Sequence, residues 1–121
     1  MNKILKTLCL AALMATATTT AQAVEAQHTF EVGKGSFMLD GKPFVVKAAE
    51  VHYPRIPRPY WEHRIKMCKA LGMNTLCLYV FWNIHEQREG EYDFTGQNDV
   101  AEFCRLAQKN GMYVIVRPGP Y

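Results

Sequence analysis

The switch between helical and extended periodicity from Arg58 onward most constrains what this chain can fold into. Pro59 suits a first helical turn, and Trp61, Ile65, Cys68 and Leu71 recur at intervals of three or four. Glu62 stands four residues before Lys66, and Gly72 supplies the stop. Asn74 to Val80 then reads as a strand. Asn98 or Asp99 caps a second helix whose Val100, Phe103, Cys104 and Ala107 form one stripe ending at Asn110-Gly111. An apolar strand from Tyr113 runs into Arg117-Pro118-Gly119-Pro120-Tyr121, a Pro/Gly-rich turn. Strands alternating with helices imply parallel strands joined by right-handed crossovers.

Doubly wound nucleotide-binding sheets and (β/α)8 barrels are both built this way, so the connections decide between them. The first, His52 to Arg58, lacks the Gly-x-Gly-x-x-Gly turn that cradles phosphate. The second, Phe81 to Gly96, is long and rich in aromatic and polar groups. Both features favour a barrel with a sugar-type pocket. The expected fold class is therefore α/β, a (β/α)8 TIM barrel of which the first three strands and two helices are present. Upstream, Thr29 to Val32 and Ser36 to Leu39 alternate as a short β-hairpin, and Asp40-Gly41 turns the chain into a longer strand from Pro43 to Val51.

The N-terminus carries Lys3 and Lys6, an apolar run from Leu8 to Met14 and the small-x-small sequence Ala21-Gln22-Ala23. These are the parts of a signal peptide over residues 1–23, so the mature chain is expected to begin at Val24. The expected organisation is that leader, a short segment 24–28, and the start of a catalytic barrel over 29–121. The apolar run is well short of the ~20 residues that span a bilayer. Export to the periplasm or the medium, without a stable membrane anchor, is the expectation.

Without the two leader lysines, twelve basic residues face eleven acids, and the basic residues are scattered. The clustered positive footprint of a nucleic-acid binder is missing. A neutral or weakly charged substrate suits this surface better. Cys68, Cys77 and Cys104 are odd in number, widely spaced and set in apolar faces, which favours buried free thiols over a disulfide framework.

Period-two alternation sets Thr75, Cys77 and Tyr79 on one face of the second barrel strand and Leu76, Leu78 and Val80 on the other. The aliphatic set should meet the helices, leaving Tyr79 pointing inward at the carboxyl end. There its phenol serves either as a ligand contact or as a structural plug. Glu50 and Glu86 follow successive strands and could supply the two carboxyl groups of glycoside hydrolysis, or could tie down loops through backbone amides or through Arg55, Arg58 or Arg117. Trp82 and Tyr92 could stack on a sugar face; packing of Trp82 against the rim is the alternative. His52 and His85 lack the spacing of a metal site, and hydrogen bonding within the loops is expected of both. His28 and His63 read as solvated, and Glu89-Gly90-Glu91 as an exposed turn.

These loops resemble the start of one family. Glu50-Val51-His52-Tyr53-Pro54-Arg55-Ile56-Pro57, Tyr60-Trp61 with Arg64, and Gly72-Met73-Asn74-Thr75 come first. Tyr79-Val80-Phe81-Trp82-Asn83-Ile84-His85-Glu86, Gly90-Glu91-Tyr92-Asp93-Phe94 and Val116-Arg117-Pro118-Gly119-Pro120-Tyr121 follow. In this order and spacing they are similar to glycoside hydrolase family 35, the β-galactosidases, over roughly Thr29 to Tyr121. The resemblance implies a retaining β-galactosidase that cleaves terminal β-linked galactose from oligo- or polysaccharides and needs no cofactor. It implies that the acid/base glutamate follows the fourth barrel strand and the nucleophile the seventh, both beyond Tyr121, so no catalytic residue is expected within this chain. Tyr79 matches the family's galactose-contacting tyrosine, while Glu50 and Glu86 match residues that build loops. Gln87 departs from the proline common after His-Glu in the family. Another retaining β-glycosidase, or a carbohydrate-binding protein without active carboxylates, is the alternative reading.

Overall fold

A computed structural model describes residues 28–119. The expected leader, its boundary at Val24, and Pro120-Tyr121 lie outside the described residues.

Three short strands, β1 (Phe30–Val32), β2 (Phe37–Leu39) and β3 (Lys42–Phe44), form an antiparallel sheet in that order. The chain then enters a second, parallel sheet as β4 (Ala48–Val51), followed by helix α1 (Trp61–Ala70), β5 (Thr75–Val80), helix α3 (Val100–Lys109) and β8 (Tyr113–Pro118). Between β5 and α3 lie the one-turn helix α2 (Trp82–His85) and the hairpin of β6 (Glu86–Arg88) with β7 (Glu91–Tyr92). The parallel order is β4-β5-β8, with Glu50 beside Cys77 and Tyr79 beside Arg117. The strand, helix, strand, helix, strand series is as expected, and the described residues form a mixed α/β fold.

The single long strand expected from Pro43 to Val51 is instead two strands in two sheets, so the leading hairpin is a three-stranded meander. Asn74 holds the break: its side-chain oxygen accepts from the Lys47 amide at 2.9 Å and its amide nitrogen donates to the Val45 carbonyl at 2.8 Å. The Phe44 ring meets Tyr113 edge-on at 5.1 Å. Because Tyr113 opens β8, the small sheet sits at the amino ends of the parallel strands, away from the loops at their carboxyl ends.

Both long helices end where the glycines predicted. At α1, the Gly72 amide reaches the Lys69 carbonyl at 2.9 Å and the Met73 amide reaches Cys68 at 3.2 Å. At α3, Gly111 and Met112 repeat the pattern onto Gln108 and Ala107. These are Schellman closures, and they need the positive φ of Gly72 (84°) and Gly111 (69°). Asp99 is the N-cap of α3, its carboxylate accepting from the Glu102 amide at 2.8 Å.

The aliphatic face of β5 meets the helices as expected. Leu76 and Leu78 are buried beneath Trp61 and Ile65 of α1 and Phe103 and Ala107 of α3. Each side chain of this size contributes roughly 1.5–3 kcal/mol by leaving water. Cys68, Cys77 and Cys104 are free thiols, half-buried rather than fully enclosed, and burial pushes the Cys104 thiol up from its ordinary value.

Candidate functional site

The loops after β4 and β5 form one rim. In the first, Tyr53 folds inward with no exposed surface, through a 3-10 turn at Tyr53–Arg55. Its hydroxyl bonds to Nε2 of His85, which is equally buried, and His85 Nδ1 lies 2.8 Å from the Asp93 carbonyl. A carbonyl can only accept, so Nδ1 carries a proton and donates it to Asp93, while Nε2 and the Tyr53 hydroxyl share the second bond. Gln97 adds a second tie, accepting from the Arg58 amide at 3.0 Å while its amide nitrogen donates to the Ile56 carbonyl. His85 thus hydrogen-bonds within the loops, as expected, and joins the two of them. The inward turn of Tyr53 and the bridging role of Gln97 were not anticipated; the one available signal was an aromatic residue followed by proline in an otherwise polar stretch.

Burial of Tyr53 has a consequence at high pH. Desolvation, with the nearby Cys104 thiol, pushes its phenol from the ordinary 10.0 to about 12. A group whose folded pKa is raised contributes stability that is complete below the unfolded value and is lost as pH rises through the folded one. Thermal midpoints should therefore fall between pH 10 and about 12, and Tyr53→Phe should flatten that part of the profile. An unchanged profile in the variant would assign the alkaline loss to other groups.

Glu50 and Glu86 are both engaged in structure. Glu50 accepts from Arg117 Nη1 at 3.2 Å and pairs with His52 Nε2 at 3.0 Å, contacts that hold its carboxyl below the usual range, the His52 bond foremost. Glu86 accepts from the Gly90 amide at 2.8 Å and from Trp82 Nε1 at 2.5 Å, which lower it likewise. A general acid needs the opposite shift, and every contact named for these two carboxylates is made to the rim loops or to β8. Trp82 packs within its own loop, 6.0 Å from Tyr92 and 6.5 Å from Phe94 between ring centres. Gln87 sits where the β6–β7 register shifts, between Glu86 and Arg88. His28 and His63 are exposed, as expected.

Tyr79 stands half-buried near the carboxyl end of β5, on the face turned away from the helices. Phe81 lies 4.7 Å away, His52 approaches edge-on at 6.2 Å, and the Arg117 guanidinium lies over its ring at 5.2 Å. Gly119 closes the far side so tightly that any side chain there would run into the phenol. Arg55, which pairs with neither glutamate, covers Phe81 at 4.6 Å, and Arg58 donates to the Gly96 carbonyl at 3.1 Å. Among the described residues no group of three or more His, Cys, Asp or Glu side chains could hold a metal ion.

Comparison with known proteins points to one family. The model of Glycosyl hydrolases family 35 matches residues 36–121. A β-galactosidase of Xanthomonas manihotis is 46% identical over 97 residues, covering 80% of this chain and 16% of its own length. The β-galactosidase of Mus musculus is 45% identical, with 78% and 15% covered, and β-galactosidase-1-like protein 2 of Homo sapiens is 45% identical, with 71% and 14% covered. The chain spans about one sixth of the length of the first of these relatives.

Proposed function

Because this chain belongs to glycosyl hydrolases family 35, we propose that the protein carrying it is an exported β-galactosidase. In this reading residues 29–121 open a (β/α)8 barrel, with β4, β5 and β8 as its first three strands and α1 and α3 as its first two helices. Signal peptide 1–23 directs the protein to the periplasm or the medium. The substrate is a terminal, non-reducing β-D-galactose residue of an oligo- or polysaccharide, and hydrolysis proceeds with retention.

The observation that carries the reading is the position of Tyr79. Barrel enzymes assemble their sites from residues at the carboxyl ends of strands, and Tyr79 occupies such an end on the face away from the helices. Its phenol donates a hydrogen bond to a galactose hydroxyl, and its ring borders the sugar. The two glutamates of a retaining mechanism come from beyond Tyr121, one protonating the leaving oxygen and the other forming the galactosyl-enzyme that water then hydrolyses.

The test uses the complete protein and an aryl β-D-galactoside. Proton NMR of the first product should show β-galactose forming before it mutarotates, and Tyr79→Phe should lower kcat/KM by roughly tenfold, the worth of one hydrogen bond to substrate. Turnover of aryl β-glucosides with none of galactosides would sink the substrate assignment. First release of α-galactose would sink retention.

A further inference from the structure

We propose that Arg117, held by Glu50, is a positioning residue that fixes the pose of Tyr79; the proposal rests on the reading of Tyr79 as the galactose contact. In the parallel register Arg117 is the direct neighbour of Tyr79, and Glu50 the neighbour of Cys77, so all four belong to the face turned from the helices. Arg117 on β8 nevertheless reaches Glu50 on β4 at 3.2 Å. The two strands are two sheet spacings apart, roughly 9 to 10 Å, with β5 between them. The ion pair therefore straps across β5, and the guanidinium lies 5.2 Å from the centre of the Tyr79 ring.

The Glu50 end of the strap is set by a second contact. Glu50 uses its other oxygen on His52 Nε2, and the His52 ring stands edge-on to Tyr79 at 6.2 Å. Gly119 lies against the phenol with no room for a β-carbon, its amide bonded to the Val80 carbonyl at 3.2 Å. The ring is thus bordered by Arg117, His52 and Gly119, and Glu50 binds the first two of these together. The pair is about half exposed at both partners, 49% and 47%. Pairs this exposed contribute little to stability, so its effect should appear in substrate recognition rather than in folding. Lysine is no substitute, because a point charge lacks the planar face that lies on the ring.

A double-mutant cycle in the complete protein tests this, with kcat and KM for an aryl β-D-galactoside and the thermal midpoint as readouts. Arg117→Met should raise KM roughly fivefold to tenfold with little change in midpoint, on the scale of one misplaced hydrogen bond. In the Y79F background the same substitution should have almost no effect. Glu50→Gln, which leaves the arginine in place without its charge partner, should give a smaller change that also vanishes with Y79F. Equal effects of Arg117→Met with and without Y79F would overturn the positioning role while leaving Tyr79 as the sugar contact. A Tyr79→Phe protein with unaltered kinetics would instead remove that contact, and this proposal with it.

Discussion

Trp61→Ala is expected to cost about 3–5 kcal/mol, a large share of the 5–15 kcal/mol that holds a typical domain. The ring has no exposed surface and packs edge-on against Phe103 at 5.3 Å and Tyr53 at 6.2 Å. Its truncation opens a cavity between α1, α3 and the first loop, where three elements meet and none can collapse alone. The indole N–H is also shared between the carbonyls of Tyr53 and Ile56, at 3.0 and 2.8 Å. Those acceptors shape the turn that carries Tyr53 to His85, so the damage extends into the rim of the site. Trp61→Phe should fall between, keeping much of the apolar area and losing the donor. Denaturant unfolding of the complete protein measures both, and a loss below about 1 kcal/mol for the alanine variant would mean the site repacks.

The elements around Trp61 were legible because their signals are local. Asn98 or Asp99 marks a helix start, Gly72 and Gly111 mark two ends, and the alternation of Leu76 and Leu78 with Cys77 and Tyr79 sorts the faces of β5. What escaped depends on residues far apart in the chain. The break between β3 and β4 is set by Asn74, 27 residues beyond Lys47, and nothing in the run Pro43 to Val51 itself forecasts it. His85 finds its partner 32 residues upstream. The family resemblance singled out Tyr79, but its surroundings required the register β4-β5-β8, since only that register brings Glu50 and Arg117 together across the strand between them.

A polypeptide of residues 24–121 alone is expected to hydrolyse no galactoside and to unfold without a cooperative transition. The reason lies in β8. In β5, flanked by strands on both sides, four of six residues are buried, whereas in β8 none is. Tyr113, Ile115 and Val116 remain 40–51% exposed, although Tyr-Val-Ile-Val is composed for burial on both faces. On the opposite edge, Met67 of α1 and Leu71 just after it are 49% and 75% exposed, lining a hollow with Glu50 and Val51 of β4. Among the described residues β4 and β8 are thus edge strands that present apolar surface, an arrangement that invites association. The same segment within the complete protein should show strong amide-exchange protection in β5, since its hydrogen bonds there lie in the middle of the sheet. A cooperative, monomeric and active 24–121 polypeptide would refute both the barrel and the placement of the catalytic glutamates beyond Tyr121. Aggregation of that piece, beside sharp unfolding of the complete protein, is the outcome the exposed edges lead us to expect.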